Sequence, residues 1–119
     1  MTRPFTADEA ADLLRRAGKI SDTLLPDLTQ ALVVAPHAPL GDEDREVLTG
    51  AWLDWLEGYP REHLWIGDAW VCQLDAPPLM AGHLSESMSR NFGGVHVAHA
   101  RRFDNGAVQV FPRHEGGRA

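Results

Sequence analysis

The sequence predicts an α+β domain in which three N-terminal helices pack on a small antiparallel sheet of three or four strands. Three observations carry that expectation. Apolar residues recur at helical spacing through residues 1–60, and from His63 the spacing shortens to that of strands. The stretch Val95–Val110, VHVAHARRFDNGAVQV, then reads as two β-prone runs meeting at Asp104-Asn105-Gly106. Asn-Gly supplies residues that tolerate positive φ, which a tight hairpin needs to match the right-handed twist of its strands. Helices gathered in the first half and strands in the second favour an antiparallel α+β arrangement over a parallel α/β one.

Each element has its own signposts. Thr6 and Glu9 have the capping-box spacing, with Asp8 and Glu9 at the positive end of the first helix and Arg15, Arg16 and Lys19 toward the negative end. Ala10, Leu13, Leu14 and Ala17 form its apolar stripe, and Gly18 is suited to a left-handed C-terminal position. A second helix is expected from Thr23, with Pro26 in its first turn, Leu24, Leu25, Leu28, Ala31 and Leu32 facing inward, and Pro36 ending it. The third opens on Asp42-Glu43-Asp44 and carries a broad stripe of Val47, Leu48, Ala51, Trp52, Trp55, Leu56 and Tyr59 before Gly58 and Pro60 stop it. HLWIGDAWVCQL is expected to fold as a hairpin turning at Gly67-Asp68, with Trp65 opposite Trp70. Leu84, Met88 and Phe92, spaced by four and followed by Gly93-Gly94, suggest a further short helix.

At 119 residues the chain has material for one core, so residues 1–119 are expected to form a single domain: a helical half (1–60), a β-rich half (61–113) and a flexible tail (114–119). A hydrophobic fraction of 44% and a charged fraction of 24% are those of an ordinary globular protein. No apolar run approaches a membrane span, and MTRPFTADEA lacks the apolar core of a secretory signal. The lone Cys72 cannot form an internal disulfide, which fits a reducing compartment, so a cytoplasmic address is expected. Ten of the eleven basic residues are Arg, a bias common in GC-rich bacterial genomes. The net charge of −6 resides in residues 1–60, where eleven acids face five bases. An acidic body repels phosphate backbones, which makes nucleic acid an unfavoured partner.

Each residue suited to chemistry also has a plainer role. His83, Glu86, His96 and His99 are the residues most suited to a metal, or to a small His/Glu-based enzyme. His83 and Glu86 share a face on a helix, but the odd spacing of His96 and His99 sends them to opposite sides of a strand. Cys72, flanked by Val71 and Gln73, suits a buried thiol better than a nucleophile. The acids at 42–46 are more simply a helix N-terminus than a catalytic pair. Three helices followed by a hairpin bearing Arg101, Arg102 and Arg113 resemble the element order of a winged helix-turn-helix domain, which would imply a DNA-binding regulator. Four acids at the start of the presumptive reading helix argue against that.

No catalytic residues and no cofactor are therefore expected. Large aromatics are abundant, and Trp, Tyr and Arg are enriched where proteins bind one another. The expectation is a non-catalytic protein-binding domain (an adaptor, inhibitor, immunity factor or assembly component) acting through Trp52, Trp55, Tyr59, Arg101 and Arg102. Its expected partner is another protein with a basic contact surface, with a second copy of the chain as the further candidate and no membrane role.

Overall fold

In a computed structural model of the chain, which describes residues 6–24, 29–92, 94–103, 105 and 107–112, helices and strands interleave. The order is α1 (Ala7–Ile20), β1 (Thr29–Pro36), α2 (Asp42–Leu56), β2 (Pro60–Ile66), β3 (Ala69–Leu74), α3 (Pro78–Asn91), β4 (Val95–Arg102) and β5 (Val108–Pro112). The five strands form one antiparallel sheet in the order β2-β3-β1-β4-β5. Three N-terminal helices on three or four strands is thus overturned. The expected second helix is absent, and its C-terminal part is the central strand.

The physical reason lies in Ala31-Leu32-Val33-Val34. All four are fully buried, because β1 has neighbours on both edges and helices on both faces. Such a strand reads as a continuous apolar run without alternation, and Ala31 and Leu32 then continue the helical spacing of the leucines before it by coincidence. Leu25, Pro26 and Leu28, also assigned to that helix, lie outside the described residues. The winged-helix element order fails with it.

Helix α1 forms as its sequence dictates. Thr6 Oγ1 accepts from the Glu9 N–H at 3.1 Å, and the Glu9 carboxylate accepts from the Thr6 N–H at 2.7 Å. The helix runs past Gly18 to Ile20 and ends on an extended Ser21, so Gly18 is not its terminator. Ala10, Leu14 and Ala17 pack on the sheet face made by Ala31, Val33, Val71 and Ala100. Gln73, on that same face, is held by its amide nitrogen donating to the carbonyls of Thr23 and Leu24.

The opposite face carries Leu32, Val34, Trp70, Cys72, Leu74 and Val97, covered by α2 and α3 through Trp52, Leu56, Ala81, Leu84 and Met88. Helix α2 ends where Glu57 (φ 43°) and Gly58 (φ 71°) turn left-handed, as Gly58 and Pro60 led one to expect. Pro78 stands in the first turn of α3, where its missing N–H breaks no helical bond. The expected hairpin at Gly67-Asp68 is present, with Trp65 opposite Trp70 and Gly67 at φ 59°. The C-terminal hairpin also forms, Arg102 pairing Val108. Asn105 Oδ1 accepts from the Ala107 N–H at 2.9 Å inside its loop. Asp104, Gly106 and the tail 114–119 lie outside the described residues. Among the described residues no helix is long and apolar enough to cross a membrane.

Candidate functional site

Helix α2 descends beside the edge strand β2, and the two elements enclose an open groove of about 670 Å³. Its lining is Asp42, Arg45, Glu46, Thr49 and Gly50 from the helix and Trp65 from the strand. The helical residues fall at spacings of three and four, which places them on one flank. Trp65 forms the floor and is fixed from three directions. Its Nε1–H donates to Thr49 Oγ1 at 2.9 Å, and the Arg45 guanidinium carbon stands 4.6 Å from its ring centroid. Behind it, Trp52 packs with ring centroids 5.6 Å apart. A guanidinium over an indole face gains from the ring quadrupole, and the indole so held remains partly exposed. Gly50 contributes no side chain, and a Cβ built there would meet nothing within 4 Å. The lining carries two exposed acids, Asp42 and Glu46, against the single base Arg45, so its rim is acidic.

The residues expected to bind a partner do not gather here. Trp52 is fully buried, 4.7 Å from Trp70 between ring centroids, and contributes to the core rather than to a surface. Trp55 is half-buried, edge-on to Phe92. Tyr59 is half-buried, and its carbonyl accepts from the Asp75 N–H at 2.9 Å. Arg101 stands over Phe103 on the α2/α3 side of β4, and Arg102, its neighbour in the strand, falls on the other face.

The four candidate metal ligands are likewise dispersed. His83 and Glu86 are exposed on α3, and the His96 ring lies 4.0 Å from His37 on the α1 side of β4. His99 is buried on the other face, sharing a 3.0 Å hydrogen bond with Gln30 Oε1. Burial, and secondarily the charge of Arg101, hold its pKa below the usual histidine value. Burial also lowers His63. Among the described residues no group of three or more His, Cys, Asp or Glu comes together as a metal site. Cys72 is fully buried and its thiol is pushed up to about 12 by desolvation, so almost none of it is thiolate at neutral pH.

The groove has no contiguous signature in the sequence. The acids of α2 were visible but sufficiently explained by the helix dipole, and Trp65 was visible as the partner of Trp70. Their juxtaposition depends on α2 lying along β2. The one local hint was Arg45 and Thr49, a polar pair at i, i+4 beside the apolar stripe. Compared with known proteins, the chain matches no family model, no curated protein and no solved structure.

Proposed function

We propose that the chain is a non-catalytic protein-binding domain whose docking face is the α2–Trp65 groove, and that it takes a basic segment of another protein. The observation that supports this reading is the groove itself, an indole floor under an acidic rim. An aliphatic Lys or Arg stem gains contact area on Trp65, and its charged head reaches Asp42 or Glu46. Arg45 adds a fixed donor for a carbonyl of the same segment. The net charge of −6 steers a basic partner toward this side before contact. A buried thiol without a disulfide suits the same work in the cytosol.

The test is an affinity capture followed by kinetics on the retained partner. Wild-type chain and the double variant Asp42→Lys/Glu46→Lys are compared, and association rates are read at low and high salt. The reading expects loss of the partner on charge reversal and an association rate that falls steeply once the Debye length shrinks to about 3 Å near 1 M salt. Equal rates at both salts, or undiminished capture by the double variant, refute it.

A further inference from the structure

The groove lies against an open sheet edge, and the order β2-β3-β1-β4-β5 leaves the outer side of β2 without a strand among the described residues. Which backbone groups face outward follows from the hairpin. A two-residue turn at Gly67-Asp68 makes Ile66 and Ala69 the first hydrogen-bonded pair, so Leu64 and Val71 form the next one. Trp65 and His63 are then the non-bonded positions of the β2–β3 ladder, and their N–H and C=O groups point away from β3. Their side chains lie on the α2 side of the sheet: Trp65 floors the groove, and the His63 ring is 5.6 Å from that of Trp70. Leu64 and Ile66 lie on the α1 side, packed with Val71 and Leu14.

Edge strands are normally protected against pairing by charges, prolines or bulges. In β2 those devices are confined to its beginning, where Pro60, Arg61, Glu62 and a register shift between Pro60 and Glu62 are found together. Thr23 Oγ1 adds a 2.8 Å hydrogen bond to the Glu62 carboxylate at that end. The following run His63-Leu64-Trp65-Ile66 has no charged residue, no proline and no bulge. It is the part of the strand that borders the acidic groove.

We propose that a partner segment binds by adding to β2 as a sixth strand, paired with the backbone of His63 and Trp65. Its alternate side chains are basic toward Asp42 and Glu46 and apolar toward Leu64 and Ile66. This rests on the groove reading above and specifies its occupant: an extended, amphipathic basic segment rather than a helix or a flat surface. Backbone bonds supply affinity in such an arrangement, and the alternating pockets supply specificity. The two faces of β2 match a strand that alternates basic and apolar residues, because strand side chains point to opposite faces in turn.

The probe is a short, end-blocked peptide alternating Lys and Val, used with the full chain. On binding, the amides of His63 and Trp65 are expected to slow in hydrogen exchange while those of Leu64 and Ile66, already bonded to β3, change little. N-methylation of the peptide's alternate amides on one edge is expected to weaken binding about tenfold or more, and methylation on the other edge to leave it nearly unchanged. His63→Pro, which removes an outward N–H and no β3 bond, is expected to weaken the unmodified peptide similarly. The methylated peptides give the same information if that variant fails to fold. Salt-sensitive binding that is lost in Asp42→Lys/Glu46→Lys but shows no protection at His63 and Trp65 overturns strand addition and leaves the groove reading standing. Binding that ignores the double charge reversal overturns the groove reading, and no binding of the peptide overturns both.

Discussion

The two faces of the sheet are built on different plans. On the α1 side one helix suffices, because the layer is aliphatic: Leu14 and Ala17 from the helix meet Ala31, Val33, Val71 and Ala100 from the strands. Small and branched side chains alternate across it, and among the described residues the cluster holds no aromatic ring to place. On the other side two helices cover a layer of aromatic rings, in which Trp52 touches Trp65, Trp70 and Phe92. That layer also holds polar atoms without partners. Among the described residues, Nε1 of Trp52 and Trp70 and the hydroxyls of Ser85 and Ser89 are buried and meet no acceptor. An unmatched buried donor costs roughly 1–3 kcal/mol, so the aromatic side gains from area and loses part of it to desolvation. The contrast explains where a surface can open. The groove borders the aromatic side, whose outermost ring, Trp65, is held from beneath by Trp52 and from above by Arg45.

The aromatic side depends most on Trp52. Trp52→Ala removes the centre of the aromatic layer and is expected to cost about 3–5 kcal/mol in urea unfolding. Trp52→Phe, which also deletes the unmatched N–H, should cost clearly less. A Phe variant as damaged as the Ala one would show that the indole nitrogen is satisfied after all. Cys72 probes the dryness of the same layer. Its folded pKa is raised to about 12 from an ordinary 9.0, so the neutral thiol is favoured in the fold. The unfolded chain loses that proton first, and stability falls as pH rises from 9.0 toward 12, by an amount on the order of a few kcal/mol. Cys72→Ala should flatten this alkaline slope, and an unchanged slope would assign it to other groups.

The aliphatic side is sharpened by overfilling it. Ala100→Leu puts a branched side chain where α1 lies close and should destabilise by about 1–3 kcal/mol, read by thermal unfolding. A neutral result would mean the layer is looser than its alanines imply. The smallest effect is at the edge of that side. Thr6→Ala removes the α1 cap and should cost about 1 kcal/mol, with local amide exchange at Glu9 rising first.

Much of this was legible in residues alone. The capping box of α1, the end of α2 at Gly58 and Pro60, and the hairpin that sets Trp65 against Trp70 all depend on neighbours in sequence. β1 was not, since a strand enclosed on every side has no polar alternation to betray it, and Ala31–Ala35 satisfies a helical template as readily. The groove was half legible. Its acids lie in one turn of α2, but Trp65 comes 16 residues after Thr49, and nothing local announces that the two hydrogen-bond.

The position of β1 has a consequence for how this molecule is made. Both of its lateral partners, β3 and β4, are encoded downstream of it. A ribosome therefore delivers the greasiest segment long before either flank exists to shield it, and its second flank arrives only after α3 has emerged. Nascent chains stalled between these points should be the ones that chaperones seize and proteases cut, because sheet formation here must wait for distant pieces rather than proceed from the front.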